Sequence, residues 1–200
     1  MNMDYEKIEL ADDYLSELSR NGFPELMDSM YKKGHITSDD EVYNSFGSTY
    51  VDRMRKVEPE GLVETSPVLT NPKKKKHSLS SLGEEIYEVV QEYRPEIDGF
   101  GDVLESFKLR KSVNWTEFLS EAEEDDIVMD ILDDVDANTR LHYIDEADEL
   151  GLLETEKSGR KWSISNVTEK GRAVQEFIEE IGETVYDELD EQNSSPTWEL

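Results

Sequence analysis

The chain has 200 residues, 36% hydrophobic and 35% charged, and its 49 Asp and Glu against 21 Lys and Arg give a formal charge of -28. That is enough apolar material for modest cores and too much for disorder throughout, while the absence of cysteine excludes disulfides and thiolate metal sites. No apolar run approaches the ~18 residues of a membrane span, and the start, MNMDYEKIEL, has no basic segment followed by an apolar one. A cytoplasmic protein without membrane contact is expected.

The acid is spread along the whole chain instead of lying in one tail. Such a distribution fits a halophilic cytoplasm of molar salt, where self-repulsion is screened over ~3 Å. An ordinary acidic interaction protein and a mimic of DNA are the other readings of the charge.

In chain order, residues 4–20 predict one short helix or two, with Ile8, Tyr14, Leu15 and Leu18 inward. FPELMDSMYKKG places Phe23, Leu26, Met27 and Met30 on one helical stripe, with Pro24 at a tolerated early position and Gly34 as the stop. Ser38 is the expected N-cap of the next helix, which faces Val42 and Phe46 inward. Thr49 can cap a third helix whose inner face is Val51, Met54 and Val57, and Pro59 and Gly61 end it. GLVETSPV reads as a strand, LTNPKKKKH as an exposed loop, SLSSLG as a returning strand, and EEIYEVVQEY as a helix. Residues 94–112, with Pro95, Gly99 and Gly101, read as a connector with some helix in VLESFKL.

NWTEFLSEA and DDIVMDILDDV both predict helix, and Asn138 or Thr139 is the expected cap of a helix carrying Leu141, Ile144 and Ala147. GLLETEKSGRKWSISNVTEKG follows as a hairpin with Ser158 and Gly159 at its tip. A long amphipathic helix then runs from about residue 170 to about residue 191, and residues 192–200 read as a flexible tail. Its stripe of Val174, Phe177, Ile178, Ile181, Val185 and Leu189 is longer than one hairpin can cover. Either the body of the same chain covers it, or Phe177, Ile178, Ile181, Val185 and Leu189 form the seam of a homodimer.

The chain repeats itself. STYVDRMRKVEPEGLVET, residues 48–65, aligns without a gap on NTRLHYIDEADELGLLET, residues 138–155, so that GLVET meets GLLET. WSIS matches HSLS at an offset of 85, which makes the first hairpin five residues longer. Two units follow from this: an N-terminal domain over 1–93 and a second domain over 113–191, with 94–112 between them. The expected fold class is α+β, mainly α with small β-hairpins and a long C-terminal helix.

The frame STYVDRMRKVEPEGLVE, the strand from Gly61-Leu62-Val63, and ISNVTEKGRAV, with Val167, Thr168 and Gly171, resemble the winged helix-turn-helix fold of small prokaryotic regulators of the MarR, ArsR and PadR sorts. The resemblance covers residues 23–92 and 113–182 and implies two winged-helix domains in tandem. It further implies a third helix lying in the DNA major groove and a wing reaching a flanking phosphate or the minor groove. Tandem winged units of the transcription and chromosome machinery also bind proteins, so the fold alone does not assign the partner.

Charge separates the two copies. Residues 48–82 carry seven basic residues (Arg53, Arg55, Lys56 and Lys73–Lys76) against Asp52, Glu58, Glu60 and Glu64, a net +3 in a chain of -28. Residues 138–172 carry six basic against seven acidic residues, a net -1. Double-stranded DNA is therefore expected to meet the first unit at Ser48, Thr49, Tyr50, Arg53 and Lys56 of the third helix and at Lys73, Lys74, Lys75, Lys76 and His77 of the wing. Arg160 and Lys161 offer an auxiliary DNA contact, while the acidic second unit is left to assembly or to protein partners. A transcription regulator is the leading expectation, and a tandem protein-interaction scaffold is its rival.

No chemistry for catalysis stands out. His35, His77 and His142 sit on separate elements, and DVDANTRLHYID, residues 134–145, has Thr139 and Asp145 where a calcium loop needs Gly and Glu. No enzyme activity, cofactor or metal is implied.

Overall fold

The computed structural model describes residues 4–20, 22–46, 54, 61–110, 113–127, 131, 135–158 and 161–194. Asp4 opens the first helix by accepting from the Glu6 amide at 3.3 Å, and α1 runs unbroken over Tyr5–Leu18. Helix α2 spans Phe23–Lys33, with Pro24 in the first turn, where its missing N–H costs nothing. It stops at Gly34, whose φ of +74° few other residues tolerate. Phe23, Leu26, Met27 and Met30 are all buried, as their spacing predicts.

A two-residue strand, β1 (Ile36–Thr37), comes next, then α3 (Glu41–Phe46). Ser38 is not the cap. Asp40 occupies the entry instead: its carboxylate accepts from the Thr37 amide at 2.8 Å and its carbonyl from the Tyr43 amide at 3.0 Å. Met54 is helical and buried, as expected of the inner face, whereas Val51 and Val57 lie outside the described residues.

Strands β2 (Val63–Val68) and β3 (Asn71–Leu79) form a hairpin, and β1 joins β3 on its other side, giving an antiparallel sheet of order β1-β3-β2. The four lysines, expected in a loop, lie in the central strand. Helix α4 covers Ser81–Tyr93. The segment read as a connector forms α5 (Phe100–Arg110) and belongs to the core, with Ile97, Phe100, Val103, Leu104 and Phe107 buried.

Helix α6 spans Val113–Glu121. Ile127, expected in a helix, instead bridges Ser163, because the Asp125 amide donates to the Ile164 carbonyl and the Ile164 amide to the Asp126 carbonyl, both at 2.9 Å. Helix α7 covers Ala137–Glu149 and is capped by Asp136, which accepts from the amides of Asn138 and Thr139, the two residues expected as caps. Strands β4 (Leu153–Ser158) and β5 (Lys161–Val167) make the second hairpin, followed by α8 (Glu169–Ser194), which takes in the first three residues of the expected tail.

The two hairpins end in the same joint. Leu79 pairs with Val63 and Val167 with Leu153, so the equivalent offset is 88, and the first hairpin is longer by two residues, not five. What fixes the joint is the cap that follows. The Ser80 hydroxyl donates to the Gly61 carbonyl and accepts from the Gly83 amide; the Thr168 hydroxyl donates to the Gly151 carbonyl and accepts from the Gly171 amide. Gly61 and Gly151 both have positive φ, +77° and +70°. A Cβ on Gly83 would stand 2.1 Å from the Leu62 carbonyl oxygen, and one on Gly171 2.1 Å from that of Leu152. Matching side chains suggested the wrong offset because a strand tolerates many apolar residues, whereas the joint tolerates only these.

A single cluster of buried residues runs through both repeats and through α5. Helix α8 packs on α1, α4 and α6. Phe177, Ile178, Ile181 and Val185 are fully buried there, with Phe177 5.4 Å from the Phe100 ring and 5.6 Å from that of Tyr93. Each such side chain contributes about 1.5–3 kcal/mol by leaving water. The body of the same chain thus covers the stripe, and these four residues are not a dimer seam; Leu189 stays 38% exposed. Among the described residues, no helix is long and apolar enough to cross a membrane.

Candidate nucleic-acid interface

The basic hairpin starts from a plain alternation. Val63 and Leu79, at its base, are buried and anchor one face of the sheet, so each further pair outward along that face leads from core to solvent. On that face His77 lies between Ile36 and Thr65, and its Nδ1 is 2.9 Å from the Thr65 hydroxyl. His77 is therefore half-buried and occupied within the sheet, in contrast to the exposed DNA contact expected of it. On the opposite face Lys76 stands between Thr37 of β1 and Ser66 of β2, a row of two hydroxyls and one ammonium across three strands.

Beyond Pro67, which faces Lys75, the register slips: Val68 pairs with Asn71, so Pro72, Lys73 and Lys74 bulge out of the ladder. Lys73 and Lys75 are exposed, and Leu69 at the tip is 98% exposed. Lys74 turns back to form an ion pair with Asp39 on the turn between β1 and α3. Residues 61–80 hold four lysines and one acid, Glu64. Successive strand residues point to opposite sides, so the hairpin carries positive charge on both of its faces.

Sequence reasoning missed the short strand beside the lysines and the acid that meets one of them. The signal for the first was the β-branched pair Ile36-Thr37 between Gly34 and a run of turn formers; for the second there was none, because the contact joins residues 35 positions apart.

The expected helix contacts Ser48, Thr49, Tyr50, Arg53 and Lys56 lie outside the described residues, as does Arg160. In the second repeat Lys161 is exposed, and the Lys157 ammonium lies 5.0 Å from the Trp162 ring centroid, a cation–π contact that occupies it locally. The outward side of α7 carries His142, Asp145, Asp148 and Glu149. Arg140, the basic residue at the start of that helix, is buried, with Nη1 3.5 Å from the Ile131 carbonyl.

Elsewhere, a cavity of about 410 Å³ opens between the end of α6, β5 and α8, lined by Glu123, Glu124, Arg172, Gln175, Glu176 and Glu179. Gln175 is committed to the carbonyls of Leu119 and Ala122 at 2.8 Å. Among the described residues no group of His, Asp or Glu is arranged to hold a metal ion.

The fold and this site define a mixed α+β protein with a repeated hairpin joint, in which one hairpin is basic and its counterpart is not. Comparison with protein-family models, with curated proteins and with solved structures finds no match to this chain.

Proposed function

We propose that the protein is a DNA-binding regulator that docks through its first hairpin, each repeat being a winged-helix unit. The order helix, short strand, helix, hairpin, helix in residues 23–93, and its partial echo in residues 113–194, support the winged-helix reading. The observation that carries the DNA reading is the concentration of Lys73–Lys76 on one exposed hairpin, opposed by Glu64 alone over residues 61–80, in a chain of -28. In so acidic a protein, local positive charge is costly to keep unless a polyanion rewards it. Ammonium groups on both faces suit a groove, where two phosphate chains flank an inserted strand pair; they position the protein and carry little sequence information. The acid elsewhere keeps the protein soluble in the molar salt of a halophilic cytoplasm.

Titration of duplex DNA across a potassium chloride series tests the reading. Replacing Lys73, Lys75 and Lys76 by Gln lowers the slope of log affinity against log salt by about 2–3, since each phosphate contact contributes about 0.9. Unchanged affinity in that variant, or no binding at any salt, sinks it. A protein-interaction scaffold is the second reading. It is favoured by α7, whose outward residues Asp145, Asp148 and Glu149 repel phosphate.

A further inference from the structure

Among the described residues, Lys74 is the one of the four lysines with an acid in place. Asp40 is fully engaged, accepting from Lys33 at 2.7 Å and from the Thr37 amide and hydroxyl. Asp39, one residue earlier, is left to face the hairpin, and its carboxylate holds the Lys74 ammonium. The two sides of the pair are unequal: the Lys74 side chain is 22% exposed and that of Asp39 is 78% exposed. The lysine is thus held against the sheet by an acid that itself stands in solvent, on the strand carrying the other three lysines.

We propose that Asp39 is an internal competitor for phosphate, which keeps Lys74 neutralised in the free protein and sets the affinity of the basic hairpin below its maximum; this rests on the DNA reading of that hairpin. An approaching phosphate must either displace Asp39 from Lys74 or bind beside a carboxylate that repels it. Both effects weaken binding. An exposed pair of this kind is cheap to break, so the competition adjusts affinity without abolishing it. High salt loosens the same pair, so Lys74 becomes available under the conditions in which phosphate contacts are weakest.

The test uses the full chain and a fluorescent mixed-sequence duplex, with affinity measured over a potassium chloride series. Asp39→Asn tightens binding by about three- to five-fold at low salt and raises the salt slope by about one. Lys74→Gln has little effect in the wild type but removes the gain in the Asp39→Asn background. Glu121→Gln, which makes the same change in net charge on α6, leaves affinity within about two-fold and controls for overall charge. If Asp39→Asn changes neither affinity nor slope while Lys75→Gln weakens the wild type, the inference fails and the DNA reading stands. If no variant binds at any salt, both fall together.

Discussion

Gly182 of α8 lies so close to the backbone of Lys7 in α1 that a Cβ on it would stand 2.6 Å from the Lys7 carbonyl oxygen and 3.2 Å from its carbonyl carbon. The two helices therefore touch backbone to backbone, and the Lys7 ammonium closes the crossing by pairing with Glu183 at 3.0 Å. Glycine inside a helix normally costs stability, so Gly→Ala at an exposed helix site gains up to about 1 kcal/mol. At Gly182 the sign reverses, because neither backbone can move without separating α1 from α8. Gly182→Ala is expected to lose about 1–2 kcal/mol net, which lowers Tm by about 2–8 °C in a chain of this size. Thermal melting followed by circular dichroism measures it, and a raised Tm contradicts the close crossing.

The paired joints predict paired effects. Gly83→Ala and Gly171→Ala each drive a methyl into a carbonyl oxygen, of Leu62 and Leu152 respectively, at the same distance of 2.1 Å. Both variants are expected to be strongly destabilised, by about 2–3 kcal/mol or more, and by similar amounts. Ser80→Ala and Thr168→Ala remove the caps that accept from those glycine amides and cost about 0.5–2 kcal/mol each. Thr168→Ser keeps the hydroxyl and should be close to neutral. Chemical denaturation of the four alanine variants decides it: a large loss in one repeat beside tolerance in the other would refute the equivalence.

Much of this was legible in the sequence, and the reasons for the rest are physical. The stripes Phe23-Leu26-Met27-Met30 and Phe177-Ile178-Ile181-Val185 were readable because a helix repeats its buried face every three to four residues. The repeat was readable because GLVET and GLLET share a glycine joint. The offset of the returning strand was not, since the pairing of Leu79 with Val63 depends on a bulge that no local pattern announces. Caps were misplaced by two residues at Ser38 and at Asn138: Asp40 stands at the entry of α3, where its carbonyl accepts from the Tyr43 amide, and the Asp136 carboxylate accepts from the Asn138 and Thr139 amides. At the candidate site, composition pointed to the lysines, but their division between two strand faces and the Asp39 contact are tertiary facts.

Asp12 of α1 and Thr116 of α6 join the two halves through a hydroxyl that donates to Asp12 Oδ1 at 2.5 Å. Burial pushes the Asp12 carboxyl above its usual range, against the pull of the Thr116 hydrogen bond, and Asp13 adds to the rise. A carboxyl whose folded pKa is raised opposes folding above that pKa, and the opposition fades as pH falls through it towards the unfolded value of 3.8. Asp12→Asn keeps an acceptor for Thr116 and removes the charge. It should raise Tm at pH 7 by about 1–3 °C, with the gain shrinking as pH falls through the raised pKa. A variant less stable than wild type at neutral pH would mean that the ionised form of Asp12 holds the halves together.

Carboxylates also crowd the seam between α4 and α8. The Glu85 carboxyl is raised by partial burial first, and then by Glu188 and Glu191 of α8 and Glu88 of its own helix. The Ser81 hydroxyl donates to Glu188 at 3.4 Å, and the Tyr31 hydroxyl donates to Glu88 at 3.1 Å. Repulsion of this kind between partly exposed groups is screened by salt, with a Debye length that shortens from ~10 Å at 0.1 M to ~3 Å at 1 M. Raising potassium chloride over that range should therefore raise Tm, and lowering pH towards the raised pKa of Glu85 should relieve the same repulsion at low salt. Glu85→Gln separates this seam from the general charge of -28: it should stabilise the protein at low salt and reduce the gain from added salt. Equal salt dependence in wild type and Glu85→Gln would assign the effect to the chain's net charge and take the α4–α8 seam out of the account.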